Sequence, residues 1–275
     1  MLLRMTAPFV HPIQLVWDKI NRGTEYLEEL DHLITPYLAR KPYGSRQEFD
    51  KKRGKNVGYL VVREDPDRNW GIIAGEAVGQ FRSALDYLVY QLALLKRPDP
   101  PGSAFPIYLD RDAYFERARC KVCGTRRSLS PRNSYLRYVA PKYRTLIDGL
   151  QPYQRGQFPE RALLAALQRF SNDDKHRAAA VTFSRPIGLR ITPLVEGAEI
   201  IDVEPPSPFG TFHDGAPLYA YSATPSPDVP VEVQLTLAVT FGERAIGMRE
   251  LKAFGRKAGE IADLFETSVP EFRAV

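Results

Sequence analysis

Apolar residues recur along this chain at two different periods, and the change of period divides it. From Pro12 to Leu38, Val16, Ile20, Gly23, Leu27, Leu30 and Ile34 step by four and three, a narrow seam that predicts a helix packed on another helix. Pro36 is expected to kink or end it. From Trp70 to Leu95, Phe81, Leu85, Leu88, Leu92 and Leu95 form one stripe, widened by Ala84, Val89 and Ala93. A helix apolar over so much of its circumference belongs in the middle of a bundle. A further helix runs from Glu160 to Asp173 with Leu163, Leu164, Leu167 and Phe170 on one face, and the last runs from Met248 to Phe265. Shorter helices are predicted from Asp110 to Arg119 and from Tyr143 to Leu150. Between Arg177 and Met248 the period falls to two. Strands are predicted over residues 179–183, 189–195, 199–203, 218–222 and 231–241, the last alternating strictly from Val231 to Phe241. Such alternation marks a sheet with one face on the core and one facing water, hence antiparallel. Lys41 to Lys55, with Pro42 and Gly44, reads as a loop. Val57 to Val62 reads as an edge strand or extended segment. The pattern predicts an α+β fold: a bundle of about five helices with an antiparallel β-sheet inserted before the C-terminal helix. It is expected to be a single domain over residues 1–275, with helical parts 1–177 and 245–275 and a β part 178–244.

Composition narrows the class of protein without naming one. Hydrophobic residues make up 44% and charged residues 26% of 275, ordinary for a soluble globular protein with a substantial core. A formal charge of +5 permits an anionic partner without requiring one. The opening MLLRMTAPFVHP is too short an apolar run for a signal peptide, and no window approaches the roughly 18 apolar residues of a membrane span. A cytoplasmic protein with no membrane contact is the expectation. Cys120 and Cys123 form one C-x-x-C, suited to a reducing compartment. They read as two free thiols or as half a zinc site. Tetrahedral zinc needs four ligands and the chain has no second pair, so no bound metal is expected. No cofactor is expected either: glycine-rich phosphate loops, G-x-S-x-G elbows and H-E-x-x-H strings are missing from the sequence.

The chemistry-bearing residues fall in three places. Arg82 and Asp86 lie four apart on the central helix, either as an intrahelical ion pair at the edge of the core or as groups facing a polar pocket; neither charge can be buried unpaired. Asn172, Asp173, Asp174, Lys175, His176 and Arg177 end the helix that begins at Glu160. As a structural hub, Lys175, His176 and Arg177 would complement the helix dipole while Asp173 or Asp174 pairs with Arg82. As a ligand or metal site the cluster would use Asp174 and His176. From Arg117 to Arg144 runs a series of nine basic residues with no carboxylate among them, interleaved with Tyr135, Tyr138 and Tyr143. That composition suits single-stranded RNA or another anionic ligand, and equally a solvated arginine-rich loop. A homodimer is a further option.

The strings FRSALDYLVYQL, FPI, LQPY and NDDKHR, in that order, resemble those of a widespread group of uncharacterised bacterial and phage-associated proteins. The resemblance covers about Gly75 to Arg177. Arg82, Asp86, Asn172, Asp174, Lys175, His176 and Arg177 match it, whereas Gly79-Gln80 and Tyr87 stand where the group has His-Asn and a second histidine. It carries no known activity. More distantly the chain is similar to the HEPN ribonucleases and toxins, helical proteins with an arginine and a histidine separated by four to six residues. Arg169 and His176 have that spacing, as do Arg4 and His11. Phe170 departs from the polar residue usual there, and the predicted sheet is larger than in that family. The resemblance implies a metal-independent RNA-cleaving or RNA-binding protein of the defence or toxin type, with catalytic His176 moving protons and Arg169 stabilising phosphate charge. The alternative is a non-catalytic scaffold or binding protein in which the cluster from Asn172 to Arg177 is structural.

Overall fold

The structure is a computed structural model that describes residues 12–117, 125, 128–176, 180–183, 188–204, 213–227, 229–242 and 245–273; at residues 174–176 only the helical backbone is described. Among the described residues there are seven α-helices and nine strands, and every strand pairing is antiparallel. The fold is α+β, with sheet preceding the C-terminal helix. The helices are α1 (Gln14–Ala39), α2 (Asn69–Leu94), α3 (Arg111–Phe115), α4 (Pro131–Tyr135), α5 (Pro141–Gly149), α6 (Leu163–His176) and α7 (Met248–Ser268). The chain forms two compact units: the described residues of Met1–Leu27, Gly75–His176 and Leu251–Val275, and those of Glu28–Ala74 and Arg177–Glu250. All strands belong to the second unit.

In the helical unit the core closes on one ring. Phe81 of α2 is fully buried, and glycines of two other helices lie against it. A methyl group at Gly23 of α1 would stand 2.5 Å from the Phe81 ring, and one at Gly255 of α7 would stand 2.8 Å from it. The absent side chains let both helices approach α2 closely. Leu85, Leu88 and Leu92 continue the α2 stripe; Leu251, Phe254, Ala258, Ile261 and Phe265 supply that of α7, and Leu164, Leu167 and Phe170 that of α6. The apolar stripes predicted from the sequence supply the core of this unit, with two exceptions: Leu95 lies past the end of α2 and is exposed, and Leu163 is half-buried. The helix ends differ in detail. Pro36 lies in the last turn of α1 and the helix continues through it to Ala39. A 3₁₀ turn, Pro159–Arg161, precedes α6, which begins at Leu163 rather than Glu160.

In the β unit, β1 (Tyr43–Asp50), β2 (Lys55–Val62), β6 (Pro217–Thr224) and β5 (Glu199–Glu204) form a four-stranded sheet in the order β1-β2-β6-β5. β3 (Val181–Phe183), β8 (Val239–Phe241) and β9 (Ile246–Gly247) form a second, and β4 (Gly188–Pro193) with β7 (Val231–Thr236) a third. Two sequence expectations are corrected. Lys41 to Lys55 is not a loop: it holds β1 and the turn to β2, where Gly54 takes a φ of 64°. β1 is an edge strand, so its outward side chains can be polar, and β2 is interior. The alternating run from Val231 to Phe241 is two strands in different sheets, broken at Leu237. There the Tyr43 hydroxyl accepts a hydrogen bond from the Leu237 amide at 2.8 Å.

Gly58 of β2 is opposite Tyr219 of β6, whose ring lies across the space a side chain would take. The Tyr219 hydroxyl reaches on to Ser45 of β1 at 3.1 Å, and that of Tyr221 reaches Gln47 at 2.9 Å. Two tyrosines thus clamp a polar edge strand across its neighbour. Gly58→Ala is expected to displace Tyr219 and cost about 1–3 kcal/mol of stability by overpacking. Chemical denaturation of the variant checks this, and a change below about 0.5 kcal/mol would show that the ring moves aside freely.

Candidate functional site: a polar hub in the helical unit

Arg82 side chains are long enough to leave a helix and meet the backbone of a neighbouring segment, and here Arg82 does so. Its Nη2 donates to the carbonyl of Phe105 at 2.8 Å, its Nη1 to Asp86 Oδ1 at 2.7 Å and its Nε to Gln168 Oε1 at 3.0 Å. Asp86 Oδ1 in turn accepts from the Phe105 amide at 2.8 Å. The i,i+4 ion pair on α2 therefore grips both backbone groups of one residue, and the Arg82 side chain is only 13% exposed. Of the two readings the sequence left open, the structure shows the ion pair, with the extra task of anchoring Phe105-Pro106-Ile107.

The same segment is held from its other end. Gln151, buried after α5, donates from Nε2 to the Pro106 carbonyl at 2.8 Å and to the Ile147 carbonyl at 3.2 Å, while its Oε1 accepts from the Tyr108 amide at 3.1 Å. Phe105 is itself buried. An extended segment has no internal ladder to satisfy its backbone, so side chains must do it. Gln168 Nε2 then donates to Asn172 Oδ1 at 2.7 Å, one turn further along α6. Residues from all four strings, RSALD, FPI, LQPY and NDDKHR, are thus joined in one hydrogen-bond network.

Other predicted site residues fall as follows. Asn172 and Asp173 are exposed; the carboxylate seated on Arg82 is that of Asp86, not of Asp173. Arg169 is half-buried, and its Nη2 donates to the Glu160 carbonyl at 2.8 Å. Asp174, Lys175 and His176 continue α6 as helical backbone, and their side chains lie outside the described residues, as does Arg177 altogether. α6 is unbroken from Leu163 to His176. Arg169 and His176 therefore start from nearly the same helix face, two turns or about 10 Å apart along the axis.

The basic run is divided between structural and exposed positions. Arg132 of α4 forms a bidentate pair with Asp148 of α5, Nη2 to Oδ2 at 2.6 Å and Nε to Oδ1 at 2.9 Å. The Tyr114 hydroxyl donates to Asp148 Oδ1 at 2.9 Å, and Tyr153 and Gln154 donate to the Asp148 carbonyl at 3.2 and 3.1 Å. Burial, with the Asp148 charge behind it, pushes the Tyr114 phenol up; the hydrogen bond to Asp148 raises Arg132. Arg144 donates to the carbonyls of Val139 and Arg137, each at 2.8 Å, and burial followed by the Arg132 charge holds it below its ordinary value. Arg132 and Arg144 are thus committed to holding short helices together. Arg117, Arg137 and Lys142 are exposed. Arg119, Lys121, Arg126 and Arg127, with Cys120 and Cys123, lie outside the described residues.

Gln151, Gln168 and Asp148 were not singled out by sequence reasoning. A signal existed for one: Asp148 is the only carboxylate between Glu116 and Glu160, and a lone acid in so basic a stretch has arginines to satisfy. Among the described residues no cluster of three His, Cys, Asp or Glu could hold a metal ion, and no helix is long and apolar enough to cross a membrane. Comparison with protein-family models, curated proteins and solved structures finds no match to this chain.

Proposed function

We propose that this is a non-catalytic binding or scaffold protein of the cytoplasm, in which the polar residues of the resembling motifs form a structural hub. The observation that supports it is the use of Arg82. Three of its nitrogens are bonded inside the helical unit, to Asp86, Phe105 and Gln168. A guanidinium so committed positions backbone and has little left for a substrate. Arg132 and Arg144 follow the same pattern with Asp148 and with main-chain carbonyls.

A second reading has one observation in its favour. The unbroken α6 brings Arg169 and His176 onto one helix face, as a HEPN-like, metal-independent ribonuclease of a bacterial defence or toxin system would require. The two readings differ in a single assay: single-stranded RNA of mixed sequence incubated in EDTA with wild type, Arg169→Ala and His176→Ala. The binding-protein reading predicts that wild type leaves the RNA intact. It also predicts that Arg169→Ala, deprived of its bond to the Glu160 carbonyl, unfolds about 1 kcal/mol more readily. Cleavage by wild type, reduced roughly a hundred- to ten-thousandfold in a normally stable His176→Ala, would establish the ribonuclease and remove the scaffold.

A further inference from the structure

We infer that the surface formed by Arg97, Tyr138 and Arg137 binds single-stranded nucleic acid, through two guanidinium groups held on one aromatic ring. The inference names a ligand class for the binding protein proposed above. It assigns that ligand to a site separate from the hub. Arg97 follows the end of α2, and its Nη1 donates to the Tyr138 hydroxyl at 2.6 Å while its guanidinium carbon lies 4.6 Å from the Tyr138 ring centroid. The Arg137 guanidinium lies 5.5 Å from the same centroid. Both arginines are exposed, and among the described residues neither pairs with a carboxylate. Two like charges held at one ring and left without a carboxylate present a local excess of positive charge, which an anionic ligand offsets.

The frame that presents them is tied to the core. Leu136 and Val139, flanking the pair Arg137-Tyr138, are fully buried. Arg144 is bonded to the carbonyls of Arg137 and Val139, which fixes the backbone on either side of Tyr138. Lys142 at the start of α5 is exposed, its ammonium 4.6 Å from the Tyr143 ring, and Tyr135 at the end of α4 is 37% exposed. Guanidinium forks match phosphate oxygens in geometry and charge. An exposed tyrosine three residues back along the same turn offers a face for a base. A single strand supplies both phosphates and unstacked bases, whereas a duplex keeps its bases stacked and offers phosphates alone.

The test is fluorescence anisotropy with a labelled oligothymidylate, which lacks the 2′-hydroxyl that a metal-independent ribonuclease needs. Binding is therefore read whether or not the protein cleaves RNA, so this inference and the proposed function can fail separately. Wild type is expected to bind at low salt, and Arg97→Gln and Arg137→Gln are each expected to weaken binding and to lower the salt slope by about 0.7. Tyr135→Ala is expected to weaken it about fivefold or more, the low end of base–aromatic stacking. Arg22→Ala, which removes an exposed arginine already paired with Glu25 at 2.8 Å, should change nothing. Arg97→Lys and Arg137→Lys, measured beside melting temperature, separate lost contacts from lost folding: they keep the charge and should retain part of the affinity. Absence of binding at low salt, equal weakening by Arg22→Ala, or equal competition by duplex DNA would each overturn the inference.

Discussion

Replacing Arg82 with alanine is expected to lower the unfolding free energy by about 3 kcal/mol. The change leaves the Asp86 carboxylate without its cation and the Phe105 carbonyl and Gln168 amide without a donor. Removing one member of a largely buried ion pair generally costs about 3–5 kcal/mol, because the other charge stays behind. Here Asp86 is 37% exposed and water recovers part of that. Its own bond from the Phe105 amide at 2.8 Å persists. Arg82→Lys should lose nearly as much, since an ammonium cannot reach three acceptors in a planar fork. Denaturant unfolding of both variants checks the figure. A loss below about 1 kcal/mol would mean that the network is decorative.

Phe81→Ala is expected to cost about 3–5 kcal/mol, the usual range for emptying a fully buried aromatic site. The more telling variant is Gly23→Ala. Alanine in a helix normally improves on glycine by about 1 kcal/mol, but a methyl group at Gly23 would stand 2.5 Å from the Phe81 ring. Overpacking at about 1–3 kcal/mol outweighs propensity, so Gly23→Ala should destabilise. In a Phe81→Leu background the ring no longer obstructs, although the Ala77 carbonyl still lies 3.0 Å from the added methyl group, so the same substitution should cost less than in the wild type. That reduction, read from unfolding midpoints of the four proteins, tests whether contact with Phe81 is a reason that α1 carries a glycine; an equal cost in both backgrounds would show that it is not.

The long helices were legible because their apolar positions are dense: the Phe81-to-Leu92 stripe and the Leu251-to-Phe265 stripe leave no other period, whereas α4, with no buried side chain among its five residues, was not. β1 was not, because YGSRQEFD has almost no apolar signal; the tyrosines that clamp it come from β6, more than 150 residues later. Strict alternation from Val231 to Phe241 reports which side chains share a face. It does not record that the backbone changes partners at Leu237. The Arg82–Asp86 pair could be read from its spacing. That the pair would also bond the backbone of Phe105 and the side chain of Gln168 could not. Main-chain hydrogen bonding leaves no mark on the identity of the residue that receives it.

Arg82 and Gln151 hold one segment, Phe105 to Tyr108, from opposite ends. A double-mutant cycle on unfolding free energy tests it most directly. With one anchor gone the segment is already loosened, so the second loss should count for less. Arg82→Ala and Gln151→Ala together are predicted to cost less than the two separately, with a coupling of about 0.5–3 kcal/mol. Costs that add to within about 0.3–0.5 kcal/mol, as for independent sites, would contradict it.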